Sequence, residues 1–542
     1  METRNWGATV FSWAATVMLF GVGWAVIPDP IELPAGADKI IATIEKLEPG
    51  LKDLTNRRVK IDGQDENKVY VQMQKPDDYY ASAIVLFDRK TGELISVDAS
   101  INNWKNKKIE KATDEEIMKR ADTIVQELFG DKRKETGTPR LSKAMEPDPS
   151  NPNDSRDVYR FVYYPALLNG VEIETAGTDY GLSVATDHAG HLVEVSYEPI
   201  DLQGISVPDP KKALAPEAIQ KQIFTPDRFD FDYVWDGIDG KPTLEYTIRT
   251  SPIYDAMTGK QIDAKRGTEK EDGKRNATTH KDITIKPQSK PLIAQSAEEA
   301  KKVLESLYGA DSMNTLSTYK KNEVDNLIVH YWTEGYDYLD KYVSLIVDKS
   351  TGEVVTTENN TYREELEVPL TKEQALQKAI AFMEPYAEAT NWQVEIVEPY
   401  KAAPMADWMI DIYGEGLRDH DEEEEEGKYV FYFKDLHHGV PIVDTYYRVV
   451  VNVLTGQVLQ LERSLPINGR TYPVLKPSVT EQQAAEIFAK NIPLKLNYTW
   501  VQIYEHKAPH LSLVYTLDMS KGWPSIDALT GKMVWREYEE EE

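Results

Sequence analysis

Two histidine pairs, an acidic run and a scatter of tryptophans are the residues of this chain whose types and spacing could do chemistry. His506 and His510 stand four apart. On a helix that spacing puts two imidazoles on one face, where they can share a metal ion. Pro509 between them works against a helix, and no glutamate follows the first histidine. The pair therefore reads as surface loop. His437-His438 precedes Gly439 and reads as a turn, not as a general base. Asp419 to Glu426 is almost entirely carboxylate, which suits a hard cation such as Ca²⁺, but it lacks the spaced ligand order of a calcium loop. It reads as a solvated insertion, and Glu539–Glu542 as a solvated tail. The 91 acidic residues always permit some pair for hydrolysis, and nothing singles one out. Trp104, Trp235, Trp332, Trp392 and Trp408 would stack on sugars if exposed; each reads as a core or strand-face residue. There is no nucleophile elbow, phosphate loop or dinucleotide glycine loop. No catalytic residue, cofactor site or metal site is expected, and the chain reads as a non-enzyme.

Composition narrows the partners. With 62 basic against 91 acidic residues, the net charge is −29, which repels nucleic acid and anionic membrane surfaces. The absence of cysteine removes disulfides, thiol catalysis, cysteine zinc sites and lipid attachment through an N-terminal cysteine. A hydrophobic share of 41%, with 30 Tyr, 12 Phe and 11 Trp, supports packed cores. At 542 residues the length suggests about three or four domains. No charge occurs between Arg4 and Asp29. Residues 1–28 are thus either a cleaved signal peptide or an uncleaved membrane anchor. The rest is expected outside the cytoplasm, with membrane contact only through that segment.

The elements that would position any site are organised by one turn pattern. Asp-x-x-Thr-Gly occurs at Asp88–Gly92, Asp255–Gly259, Asp348–Gly352 and Asp527–Gly531, with Asn at Asn452–Gly456 and a degenerate copy at Thr186–Gly190. The Asp or Asn side chain starts a turn by accepting a backbone N–H, and the glycine ends it at positive φ. Strand-forming runs such as Tyr342–Val347 and Arg448–Val451 flank the turns. Helices are expected after Pro30, at the capping boxes Thr113…Glu116, Ser296…Glu299, Thr371…Gln374 and Thr480…Gln483, and at Pro216. A strand is expected at Trp500–Tyr504. Residues 131–156, polar and proline-rich, read as a loop, and residues 266–291 as a linker.

The turns repeat at long range. Gly92 to Gly352 is 260 residues, Gly190 to Gly456 is 266, and Gly259 to Gly531 is 272. Near-constant spacing predicts two homologous halves, each of three helix-then-hairpin units in an α+β fold. The units run 37–112, 113–205 and 206–265, then 292–366, 367–470 and 471–542.

These residues carry a resemblance. The helix opening Leu370-Thr371-Lys372-Glu373-Gln374-Ala375-Leu376, followed by strands and the Asp-x-x-Thr-Gly turn, resembles the PepSY domain, a cystatin-like fold. A strand followed by Asn169-Gly170-Val171-Glu172-Ile173, or by His438-Gly439-Val440-Pro441-Ile442, resembles the YcdB/YcdC repeated domain of exported proteins of Gram-positive, spore-forming bacteria. Units 37–112 and 292–366 are the PepSY-like ones, and 113–205 and 367–470 the YcdB-like ones. The likeness covers most of residues 37–265 and 292–542. The first half departs from it at Thr186–Gly190 and has Glu172 where the second has Pro441. The resemblance implies a non-catalytic envelope module that binds a protein partner, a secreted peptidase foremost. Cell-wall glycan is the rival ligand, and a carboxylate hydrolase the third reading.

Overall fold

The computed structural model describes residues 32–536 apart from 64, 101–110, 149–150, 176–179, 236–240, 249–251, 264–267, 270–278, 315, 335–340, 362–365, 399–404, 415–426, 465–470, 473 and 504–505. Segment 1–28, Trp104, the acidic run 419–426 and the tail 539–542 lie outside the described residues. No described helix is long and apolar enough to cross a membrane.

Each turn is built as its chemistry requires. Asp88 Oδ1 accepts the N–H groups of Lys90 and Thr91 at 2.9 and 2.7 Å, and Gly92 sits at φ 73°. The Asp255, Asp348, Asn452 and Asp527 side chains each accept the same two N–H groups, two and three residues on. In the degenerate copy Asp187 accepts from Ala189 and His191. Each glycine lies against the segment that leads into a helix. A Cβ on Gly92 would meet Ala35 O at 2.8 Å, one on Gly352 would meet Gln295 Cγ at 2.9 Å, and one on Gly531 would meet Val479 at 3.1 Å. The helices that follow are Ala37–Leu47, Ala297–Tyr308 and Glu481–Asn491.

The capping boxes form at Thr113, Thr371 and Thr480. At Ser296 only half of the box forms. Its side chain accepts from Glu299 N, while the Glu299 carboxylate accepts from Gln295 N, one residue earlier than the motif requires.

The result is a mixed α+β fold, rich in antiparallel sheet, in two compact units. One comprises Met1–Ala213 with Leu496–Val514, the other Leu214–Lys495 with Tyr515–Glu542. In the first unit an eight-stranded sheet runs, in spatial order, Asn56–Ile61, Lys68–Lys75, Asp78–Asp88, Leu94–Ser100, Leu192–Glu198, Gly181–Asp187, Asn151–Pro165 and Arg140–Asp148. In the second unit the order is Thr318–Val324, Leu327–Thr333, Tyr342–Asp348, Val354–Asn360, Val458–Arg463, Val440–Asn452, Lys428–His437, Asn391–Val397 and Thr279–Thr284. Eight strands correspond one to one, and Thr279–Thr284 is an addition at the edge. Phe229–Trp235, Pro242–Ile248, Trp523–Asp527 and Met533–Arg536 continue the second sheet from Val440–Asn452 through a parallel bridge.

The two sheets also share register. Directly opposed residues across the first run Lys60, Tyr70, Leu86, Ser96, Ser196, Ser183, Tyr163 and Arg140. Across the second they run Asn322, Val329, Ile346, Thr356, Glu462, Arg448, Tyr432, Glu395 and His280. Leu86/Ile346 and Ser96/Thr356 keep the 260-residue spacing. One face of each sheet is apolar and carries the helices: Val85, Phe87, Val97, Val184 and Val195 lie under Ile41, Ile44, Ile117 and Ile124 in the first, and Leu345, Phe431, Phe433, Val449 and Leu461 under Leu304, Ala375 and Met383 in the second.

Three expectations are corrected. Residues 131–156 are not a loop, since Arg140–Asp148 and Asn151–Pro165 form a long antiparallel hairpin. An edge strand has no need of apolar alternation on its solvent side, so its polarity disguises it. The strand expected at Trp500–Tyr504 is only the short Gln502–Ile503, paired with His506–Lys507; the longer strand lies earlier, at Leu494–Thr499, and Trp500 stacks on Tyr180 at 5.8 Å. Thr279–Thr284, inside the stretch read as a linker, is a strand paired with Asn391–Val397.

Candidate functional site

The chemistry-bearing side chains gather on the sheet face turned away from the helices, most densely in the second unit. Alternation along each strand sends every second residue there. Tyr342 OH donates to Glu358 at 3.2 Å. Gln460 Nε2 donates to the other oxygen of Glu358 at 3.4 Å. Arg448 donates to Gln460 Oε1, and to Glu462 at 3.4 Å. Tyr446 OH donates to Glu462 at 2.9 Å. The Arg448 guanidinium lies over the Tyr432 ring, 6.0 Å from its centre, and Tyr331 stacks on Tyr342 at 5.1 Å. The chain Tyr342–Glu358–Gln460–Arg448–Glu462–Tyr446 thus crosses four strands.

Burial, with the Glu462 carboxylate next, pushes the Tyr446 phenol up to about 12. At neutral pH it is a donor and neither a base nor a nucleophile. The band presents a flat surface of phenols and paired charges.

Beside it lies a tighter group. Lys434 Nζ contacts Glu395 at 2.8 Å, and His280 reaches Asp230 at 3.6 Å and Gln393 at 3.0 Å. Asp232 is buried at 4% exposure. Burial works against the Lys434 ammonium, yet Asp232, Glu395 and Asp230 outweigh it and hold the group above its ordinary value. Lys434 therefore stays protonated, a structural cation and not a proton acceptor.

The first unit uses the same positions differently. Ser183 and Ser196, which correspond to Arg448 and Glu462, share a 2.7 Å hydrogen bond. Asp98 and Glu194, which correspond to Glu358 and Gln460, oppose each other directly. Among the described residues neither carboxylate has an ion pair. Both are raised, Asp98 by desolvation and Glu194 by desolvation and then by Asp98. Here the open face of the first sheet brings two opposed acids together; in the second unit Asp232 and Glu245 are also directly opposed, both buried.

The middle turns match as well. Asn169-Gly170 have φ 52° and 80°, and His438-Gly439 have 50° and 82°, so His438 serves as a turn residue in the position of Asn169. A parallel bridge follows each turn. Ile173 opposes Tyr498 in the first unit, and Ile442 opposes Tyr233 in the second.

The other residues singled out from sequence do not converge. His506 lies in the short strand His506–Lys507 and His510 in a bridge to Ser206, so the pair is not on a helix. Trp332 and Trp392 are buried, and Trp392 Nε1 donates to Ala389 O at 2.8 Å. Among the described residues no group of three or more His, Asp or Glu is placed to hold a metal ion. Two shallow depressions line helices Lys372–Met383 and Glu481–Asn491 at matching positions, Leu370, Gln374 and Lys378 against Val479, Gln483 and Ile487. The band across the sheet face was missed from sequence. Aligning the halves at their turn spacing and comparing alternate strand residues would have found it.

Residues 307–463 match the family described as the YcdB, YcdC repeated domain, a span that contains the whole band. Among solved structures the chain is similar to the Bacillus megaterium YpeB C-terminal domain at 15% identity, covering 44% of this chain and 96% of that one. The TM-score of that likeness is 0.26, and it carries no argument. No curated protein matches the chain.

Proposed function

We propose that the chain is an exported, non-catalytic binding protein of the cell envelope, made of six helix-plus-hairpin units, three to each half. The partner class we favour is a secreted peptidase, which the chain binds and restrains. The observation that carries this reading is the use made of the reactive side chains. Glu358, Glu462, Arg448 and Tyr446 satisfy one another across an open sheet face and converge on no cleft. The match to the YcdB, YcdC repeated domain supports it. The test is a pull-down from culture medium and wall extract with residues 30–542 as bait, followed by assay of any enriched peptidase. Enrichment with dose-dependent inhibition is the expected result. Peptidases at background level in every fraction would count against the reading.

A second reading, binding to cell-wall glycan, has its own observation in the half-buried Tyr331–Tyr342 stack beside Tyr432 and Tyr446. It predicts co-sedimentation with purified wall material that Tyr342→Ala weakens several-fold. The hydrolase reading has the Asp98–Glu194 pair on an open face and the buried, directly opposed Asp232–Glu245 pair.

A further inference from the structure

One of two repeated corners holds a lysine over aromatic rings, and it indicates what the other corner takes. In the first unit the corner lies where Tyr498 opposes Ile173. Two residues on, Trp500 stacks on Tyr180 at 5.8 Å. The Lys507 ammonium sits 4.9 Å from the Tyr180 ring centre and 5.0 Å from that of Trp500. At such distances the negative ring faces attract the charge. Lys507 is carried there by a small hairpin, Gln502–Ile503 paired with His506–Lys507.

The second unit builds the same corner where Tyr233 opposes Ile442. Tyr233 and Tyr498 are 265 residues apart, as are Trp235 and Trp500. Tyr472 supplies the second wall. Its ring stands at 74° to both Trp235 and Tyr233, with centres 5.8 and 5.7 Å away, and His437 adds a ring 5.4 Å from Tyr233. Trp235 and Tyr472 are half-buried, so ring surface stays accessible. The lysine-bearing hairpin, however, has no counterpart in the sequence. Eleven residues join Trp500 to the strand Ser512–Leu517, whereas six, 236–241, join Trp235 to Pro242–Ile248. Lys241, the only cation among those six, is exposed. The charge beside the rings also differs. Asp232 stands where the first corner has the neutral Asn497, again 265 residues away, and both are buried. That carboxylate and a net charge of −29 draw a cation.

We propose that the corner formed by Tyr233, Trp235 and Tyr472 binds a lysine side chain of a partner protein, as the first unit binds its own Lys507. This rests on the binding reading above and specifies one anchor of it. The ammonium supplies the attraction to the ring faces, and the methylene stem covers apolar ring surface.

The test needs no knowledge of the partner. The probe is Nα-acetyl-lysine amide at millimolar concentration, added to the full chain, with Nα-acetyl-norleucine amide as the analogue that lacks the ammonium. The readout is saturation-transfer NMR. Transfer to the lysine ε-methylene protons should exceed that to norleucine at least fivefold. Trp235→Leu should reduce it at least fivefold, and Trp235→Phe, which keeps a ring, should restore most of it. Unchanged amide exchange in 229–235 shows that the strand of the leucine variant is intact. Lys507→Gln empties the first corner and should raise the signal about twofold by opening a second site. Equal transfer to norleucine would mean an apolar patch and overturn the proposal. So would a signal that survives both Trp235→Leu and Tyr472→Leu, or one that does not rise in Lys507→Gln. A response seen only after Lys241→Gln would mean that the chain fills its own corner. Tetramethylammonium bound where lysine is not would mean a quaternary-ammonium site. Either result would overturn it equally. A peptidase recovered in the pull-down while the lysine probe fails sinks the anchor alone. A lysine response with no peptidase recovered sinks only the choice of partner.

Discussion

The two sheets are the same structure carrying different surfaces. Their strand order and opposed residues correspond from Lys60 and Asn322 at one side to Arg140 and Glu395 at the other. On the helix side the exchanges conserve apolar character, with Phe87 for Val347 and Val162 for Phe431. On the open side they do not. Ser183 and Ser196 stand where Arg448 and Glu462 stand, and Asp98 and Glu194 where Glu358 and Gln460 stand. A buried face must be filled, so volume and polarity are constrained together. An open face is in contact with water and need not be filled, so its side chains are free to differ: one half carries a bonded band, and the other short hydroxyls and an opposed acid pair that water screens.

The largest expected effect separates the two cores. Phe87 and Phe431 are each fully buried, one in each unit. Truncating either to alanine should cost about 3–5 kcal/mol. Phe87→Ala should speed amide exchange in 94–100 and 181–198 and leave 342–360 as it was; Phe431→Ala should do the reverse. If either variant loosens both sheets equally, the units unfold as one cooperative body and the comparison must be made on the whole chain.

The turn glycines give a smaller and more local contrast. Gly92 and Gly352 occupy the same position, both at φ 73°. Alanine at either should cost about 1–2 kcal/mol for the left-handed backbone alone. The obstacle to a Cβ differs, however: it is the Ala35 carbonyl at 2.8 Å for Gly92, and the flexible Gln295 side chain at 2.9 Å for Gly352. Gly92→Ala should therefore be the more destabilising in urea titrations. Equal losses would show that the segment before the first helix yields as readily as a side chain.

That contrast bears on what the sequence could convey. The turns were legible because their chemistry is local: an Asp or Asn side chain, two N–H groups and a glycine within five residues. The capped helices were legible for the same reason, and where Glu299 bonds Gln295 the departure spans a single residue. The edge hairpin at 140–165 was not legible, because its pairing partner and not its own pattern makes it a strand. The open-face band was missed for a related reason. Tyr342, Glu358, Arg448 and Glu462 are unremarkable in sequence and meet only once four strands are in register.

The band can be converted into its counterpart. Arg448→Ser and Glu462→Ser together install the serine pair of the first half. Each single change leaves a charge facing its former partner's position, so each should cost more than half of what the double change costs. The coupling energy should be about 0.5–1 kcal/mol, since both side chains remain partly exposed. Tyr446 offers a second readout. Without Glu462 its phenol should titrate below the value near 12 in an ultraviolet pH titration, as burial then remains the main effect holding it up and Arg448 works against it. Additive losses and an unmoved phenol would mean that the band is a row of neighbours without energetic connection.

The smallest effect tests the acid pair and has a definite sign in pH. Asp98 and Glu194 titrate above their ordinary values, because the crowded sheet desolvates them and, for Glu194, because Asp98 opposes it. A carboxyl whose folded value is raised contributes stability below its unfolded value and loses that contribution as pH rises through the raised one. At neutral pH the pair is therefore a liability. Asp98 is exposed, so solvent screens the repulsion. Asp98→Asn should stabilise the first unit by no more than about 0.2–0.5 kcal/mol at neutral pH, with the gain shrinking toward pH 4 as the native pair becomes protonated. The turn acids run the opposite way. Asp88 is lowered chiefly by the Thr91 N–H, and Asp348 by the Ser350 hydroxyl and then the Thr351 N–H. Their contribution is present at neutral pH and is lost as pH falls through the lowered values, so asparagine at Asp88 or Asp348 should gain nothing at neutral pH. Gln460→Glu closes the comparison by placing an acid opposite Glu358 in the second half. It should reproduce the neutral-pH penalty there, unless Arg448, which already donates to position 460, absorbs the new charge. Urea midpoints at pH 7.5 and 4.5 for these variants distinguish the two outcomes. A Gln460→Glu chain as stable as the parent at both would show that the second half's band tolerates an added acid because its arginine is shared.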